Sequence, residues 1–121
     1  MGTILVVDDD FDIRDSVSDI LHDEGFVVAT ANDGLDALQY LREQPAPCLI
    51  LLDWMMPRCD GSEFLAYQQA DAAIASIPVV ILSADARVES KMSTMTAHDF
   101  LGKPVKLNRL LEVVKRYCGV E

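Results

Sequence analysis

Cys48-Leu49-Ile50-Leu51-Leu52 is an unbroken apolar run that ends against a single acid, Asp53. A strand with one wet face alternates apolar and polar residues, so an unbroken run fits a strand buried on both faces, as in a parallel sheet. Working outward, Thr3 to Val7 and Pro78 to Leu82 read the same way. Val27 to Ala31 reads as a further strand, and Asp99 to Gly102 as a short, weaker one. Helical spacing fills the intervals. Ile13, Val17, Ile20 and Leu21 form one apolar stripe that stops near Gly25. Leu35, Ala37, Leu38 and Leu41 mark a second helix, closed before Pro45 and Pro47. Phe64, Leu65, Tyr67 and Gln68 lie in a third, and Leu107, Leu110, Leu111 and Val114 in a strong last one. Val88, Met92 and Met95 have the spacing of another, but Ser90, Ser93, Thr94 and Thr96 are mediocre helix formers. That fourth helix is expected to be short or frayed. The order βαβαβαβαβα predicts an α/β fold with a parallel five-stranded sheet and helices on both faces, for which strand order 2-1-3-4-5 is the common small arrangement. Its ligand site belongs outside the carboxyl ends of the strands, where strands 1 and 3 part.

The length of 121 residues suits one domain with a real core. No apolar run approaches the ~18 residues of a membrane span. Met1-Gly2-Thr3 leads straight into a strand with no basic region. The expected location is cytoplasmic, without membrane insertion. Ten Lys and Arg stand against twenty Asp and Glu, a net charge of −10, with no basic stripe. Direct nucleic-acid binding is not expected, because phosphate neutralisation needs clustered cations. The three cysteines, Cys48, Cys59 and Cys118, are odd in number and form no C-x-x-C. They read as reduced structural thiols rather than a disulfide framework or zinc site.

The carboxyl ends carry the chemistry. Strand 1 runs into Asp8, Asp9 and Asp10, strand 3 into Asp53, strand 4 ends at Ser83, and strand 5 ends near Lys103-Pro104. Each feature alone is ordinary: acids favour helix starts, and a lone Asp is a common turn residue. Their conjunction at one sheet edge is informative. Three carboxylates within a few ångströms repel, by about 4 kcal/mol for a pair at ~4 Å and an effective dielectric near 20. A hard divalent cation such as Mg²⁺ would offset that, as would the Lys103 ammonium. A carboxylate can act as nucleophile toward phosphorus, with Mg²⁺, Lys103 and the Ser83 hydroxyl neutralising the phosphoryl oxygens.

The segments Ile4-Leu5-Val6-Val7-Asp8-Asp9-Asp10, Leu51-Leu52-Asp53-Trp54-Met55-Met56-Pro57, Asp60-Gly61, Val80-Ile81-Leu82-Ser83-Ala84 and Asp99-Phe100-Leu101-Gly102-Lys103-Pro104 resemble the receiver domain of bacterial two-component response regulators. The resemblance covers essentially the whole chain. It implies a flavodoxin-like (βα)5 three-layer sandwich, with residues 1–121 a single receiver domain and no output domain in this chain. By the resemblance, Asp53 is the phosphoacceptor. Mg²⁺ is held by Asp9 directly, by Asp8 mostly through water, by Asp53 and by the Met55 backbone carbonyl. Lys103 pairs with the phosphoryl group, Ser83 is the switch hydroxyl and Phe100 the switch aromatic. The Lys103–Pro104 bond matches a family position that is usually cis. The implied phosphodonor is a histidine kinase or His-phosphotransfer protein. The implied output is a downstream protein on the helix 4, strand 5 and helix 5 face, or a phosphorylation-dependent dimer. Such a domain assists its own phosphorylation and dephosphorylation but is not an independent enzyme.

Other prominent residues have plainer readings. Asp10 reads as a solvated helix-start residue, Trp54 as a lid beside the site, and Met55 and Met56 as packing side chains. His22 and His98 read as surface groups, and Asp33-Gly34 and Asp60-Gly61 as turns. The pattern departs from the family on one face: the Ser83-to-Lys103 interval is about two residues short, Thr96 replaces a small residue, and Phe100 lacks a hydroxyl. Two rival classes remain at this point, a pseudo-receiver that binds without phosphorylation and a haloacid-dehalogenase-like phosphohydrolase. The retained acids, Ser83 and Lys103 oppose the first. Met55, where the second needs an Asp, opposes the other.

Overall fold

The computed structural model describes residues 2–56, 58–91 and 96–118. The chain runs β1 (Thr3–Val7), α1 (Phe11–Asp23), β2 (Val27–Ala31), α2 (Gly34–Glu43), β3 (Leu49–Asp53), α3 (Gly61–Ala70), β4 (Val79–Ser83), α4 (Ala86–Ser90), β5 (Asp99–Gly102) and α5 (Leu107–Cys118). All strands pair in parallel, in the order β2-β1-β3-β4-β5. The expected architecture and order hold. β3 and β4 begin and end one residue later than the apolar runs, so Asp53 and Ser83 are the last residues of their strands.

The unbroken apolar runs are explained by two core layers. Leu5, Val7, Ile50, Leu52, Val79 and Ile81 enter one layer, with residues of α2, α3 and α4. Their alternates Ile4, Val6, Leu49, Leu51, Val80 and Leu82 enter the other, with residues of α1 and α5. β1, β3 and β4 lie inside the sheet and have no wet face. Edge strand β2 exposes Val27.

The helix starts are chemically uniform. Asp10, Asp33, Asp60 and Asp85 cap α1, α2, α3 and α4, each accepting a backbone N–H of the first turn. Asp60 and Glu63 form a reciprocal capping box. Gly25 follows α1 with φ of 93°, a conformation that only glycine adopts freely. α4 covers five residues and closes at Lys91. Met92 and Met95, which the sequence placed on the same helix, lie outside the described residues.

The expectation of three reduced thiols is corrected. Cys48 and Cys118 are joined in a disulfide across a sequence separation of 70, and Cys59 is a buried free thiol. The cause is topological. Each helix of a parallel βα unit runs back toward the strand beginnings, so the last turn of α5 arrives beside the start of β3. The two Cα atoms there are 5.3 Å apart. Spacing along the chain carries no sign of this meeting. Among the described residues, no helix is long and apolar enough to cross a membrane.

Candidate functional site

Register brings the acids together. Val7 pairs with Leu52, so Asp8 and Asp53 leave their strands at the same level. Asp53 pairs with Leu82 and Ser83 with Gly102, which steps Ser83 and Lys103 onto the same edge. Asp8, Asp9 and Asp53 each offer a carboxylate oxygen, all within 4.8 Å of one another. Asp8 and Asp53 are buried and Asp9 is exposed. Lys103 Nζ donates to Asp53 Oδ1 at 3.0 Å and to Asp8 Oδ2 at 3.3 Å. The Asp10 N–H donates to Asp8 Oδ1 at 2.9 Å. Each oxygen of the buried Asp8 therefore accepts one hydrogen bond and keeps a lone pair.

Electrostatics follow from this packing. Burial is the largest influence on Asp53 and drives its pKa from 3.8 up to about 6. Its hydrogen bond from Lys103 opposes the rise, while Asp8 and Asp9 reinforce it. Burial alone would lower the Lys103 pKa, but Asp53 and Asp8 outweigh it and hold the ammonium above its usual value. The site thus carries more negative charge than its one ammonium balances. An all-oxygen donor set with that excess suits a hard divalent cation such as Mg²⁺.

Ser83 is buried, and its Oγ accepts the Asp85 N–H at 3.0 Å. Its carbonyl accepts the Lys103 N–H at 2.9 Å, which ties the end of β4 to the lysine. The Lys103–Pro104 peptide is cis, in agreement with the resemblance. Phe100 is half-buried against the core layer beneath α2, α3 and α4. Met55 follows Asp53 by two residues and is 72% exposed, whereas Met56 is buried. The half-buried Trp54 occupies the space that a Cβ on Gly61 would need, so glycine is required at the start of α3. A groove of about 300 Å³ opens beside Lys103, lined by Ile13, Val17, Ile20, Val105 and Leu110 among others.

Two contacts near the site had no sequence signal strong enough to find them. Arg14 Nη1 donates to the Asp8 carbonyl at 2.7 Å, and its guanidinium lies over the Phe11 ring. Arg58 Nε donates to Asp33 Oδ2 at 2.6 Å, joining two segments that had read only as a loop and a turn. Burial would raise the Asp33 pKa, but the Arg58 bond and charge, with the Asp36 N–H, hold it below the usual value. His22 and His98 are exposed, and Asp10 is an exposed cap, as their plain readings required.

A parallel 2-1-3-4-5 sheet with this edge defines a class, and residues 4–115 match the response regulator receiver domain, so the chain belongs to that family. It is 37% identical over 117 residues to an uncharacterized 14.6 kDa protein in the sodA1 3′ region of Leptolyngbya boryana, covering 95% of this chain and 88% of that one. It is 36% identical over 114 residues to the phosphate regulon transcriptional regulatory protein PhoB of Escherichia coli K12, covering 93% of this chain and 49% of PhoB. The chain therefore spans about half the length of that regulator. The receiver domain of NtrX from Brucella abortus superposes with a TM-score of 0.85 at 38% identity, covering 98% of this chain and 99% of that one. The chemotaxis protein CheY4 of Vibrio cholerae gives 0.87 at 29% identity, covering 97% and 98%. The fold is the flavodoxin-like arrangement of these receiver domains.

Proposed function

We propose that residues 1–121 form one phosphoacceptor receiver domain in which Asp53 takes a phosphoryl group from a phosphohistidine. The observation that carries this reading is the Lys103 ammonium set between Asp53 and Asp8 at 3.0 and 3.3 Å. A phosphoryl group on Asp53 would find that cation in place. In the forward step an Asp53 carboxylate oxygen attacks phosphorus, the P–N bond breaks, and the imidazole nitrogen keeps the electron pair. Hydrolysis reverses the loading: water attacks phosphorus, inorganic phosphate leaves, and the Asp53 carboxylate returns. The domain assists both steps on itself and has no separate substrate.

Asp8, Asp9, Asp53 and the Met55 carbonyl are the groups that would hold Mg²⁺. When bound, the ion neutralises charge on the phosphoryl oxygens. Lys103 pairs with one of those oxygens, and the Ser83 hydroxyl gives up the Asp85 N–H to reach another. Phe100 then turns inward, altering the helix 4, strand 5 and helix 5 face that a downstream protein reads. The phosphodonor is a histidine kinase or His-phosphotransfer protein, for which the groove beside Lys103 offers an apolar seat. The domain works in the cytoplasm and does not itself contact nucleic acid.

Trp54 is the single tryptophan and follows Asp53 directly. Its fluorescence is expected to change with Mg²⁺, and again with beryllofluoride as phosphoryl mimic, with the second response absent in Asp53→Asn. A wild type that binds no Mg²⁺ by calorimetry and gives no mimic response would refute the reading.

A further inference from the structure

The loop between β3 and α3 follows Asp53, and its conformation decides where the Met55 carbonyl stands. Two bonds close it at its base: Trp54 N–H donates to Leu82 O at 3.1 Å, and Gly61 N–H donates to Trp54 O at 3.0 Å. Its far side is held from another direction. Gly34 N–H donates to Cys59 O at 3.2 Å, and Arg58 Nε donates to Asp33 Oδ2 at 2.6 Å. The Gly34 contact is so close that a Cβ there would overlap the Cys59 carbonyl oxygen. The anchor is stiff. Asp33 is 4% exposed, and its other oxygen accepts the Asp36 N–H at 2.9 Å as the cap of α2. The segment carrying Asp33 is itself fastened to the acid pocket, because the Asp8 N–H donates to Ala31 O at 3.2 Å. Arg58 and Asp33 thus close a circuit from Asp8 through Ala31 and Asp33 to the loop that bears Met55.

We propose that the Arg58–Asp33 pair is a positioning clamp that sets the distance between the Asp8 segment and the Met55 loop, and thereby tunes the cation site for Mg²⁺ over Ca²⁺. The inference rests on the cation-binding part of the proposed function. Mg²⁺ demands near-ideal octahedral geometry at 2.0–2.1 Å, whereas Ca²⁺ accepts longer and less regular coordination. A loop released by a few tenths of an ångström therefore penalises Mg²⁺ more. Neither side chain is a ligand, so the effect passes through the chain itself, in which Arg58 follows Met55 by three residues.

The test is calorimetric titration of the full chain with MgCl₂ and separately with CaCl₂, for wild type, Arg58→Ala, Arg58→Lys, Asp33→Asn and the Asp33→Asn/Arg58→Ala double variant. Arg58→Ala is expected to raise the Mg²⁺ Kd by about tenfold, the usual scale for residues that orient metal ligands, and the Ca²⁺ Kd by a smaller factor. The double variant should bind no more weakly than the weaker single one. Arg58→Lys keeps the charge without the Nε geometry and should recover part of the loss. An unchanged Mg²⁺ constant in Arg58→Ala, equal factors for the two cations, or additive single effects would each overturn the clamp. Because Arg58 is exposed, its variants remain informative even if Asp33→Asn does not fold. A wild type that binds neither cation overturns the proposed function itself, and the clamp with it.

Discussion

Asp53 meets opposed demands: folding favours its neutral form, and attack on phosphorus needs its charge. With a folded pKa of about 6 against 3.8, the folded state holds the proton more tightly than the unfolded chain does. Stability of the metal-free protein should therefore fall as pH rises from about 4 to about 6, by up to about 3 kcal/mol from this group. Asp53→Asn should remove that slope, leaving a variant more stable than wild type at pH 7 without divalent cations; urea melts across this range check it. Lys103→Met should act in the opposite direction, leaving two buried carboxylates uncompensated and costing about 3 kcal/mol in metal-free buffer. Saturating Mg²⁺ should recover more stability in that variant than in wild type, read as the difference in thermal midpoints. The meeting of Asp8, Asp53, Ser83 and Lys103 at one sheet edge was legible in the sequence because each ends or follows a strand-like run, with Asp9 next after Asp8. Arg14, Asp33 and Arg58 were not. The Asp33–Arg58 pair spans 25 residues between a turn and a loop, where no periodicity operates.

At the scale of elements, helix starts are locked by contacts that a methyl group would break. Gly34→Ala must push against the Cys59 carbonyl, and a loss of about 2 kcal/mol is expected in denaturant melts. Among the described residues α4 is the shortest helix, with five residues and Val88 as its one buried side chain. Its amides at residues 86–91 should exchange much faster than those of α5, which buries Leu110, Val113, Val114 and Cys118. Hydrogen exchange resolves this, and strong protection in both would contradict it. β1, β3 and β4 were readable because residues buried on both faces leave unbroken apolar runs, while the order 2-1-3-4-5 was expected only as the common arrangement of five such strands. Their exact ends were not, since Asp53 and Ser83 are polar yet belong to β3 and β4. The meeting of Cys48 with Cys118 was invisible because it depends on where α5 ends, not on any local pattern.

For the molecule as a whole, a net charge of −10 with three carboxylates at one edge would make cation binding at the proposed site a stabilising event. Mg²⁺ at a hundred times its Kd should add about 2.7 kcal/mol, visible as a rise in the thermal midpoint that Asp53→Asn reduces. The disulfide acts at the same scale, since closing 70 residues in the unfolded chain corresponds to about 4 kcal/mol of loop entropy. It also makes the molecule mechanically unequal. Pulled from its two termini, the oxidised chain can pay out only what lies outside the bridge, however completely its fold is lost. Every strand after β2 and every helix after α2 falls inside that shielded loop. Cutting the bond would lengthen the fully stretched chain by ~240 Å, so its redox state could be read from extension alone, one molecule at a time.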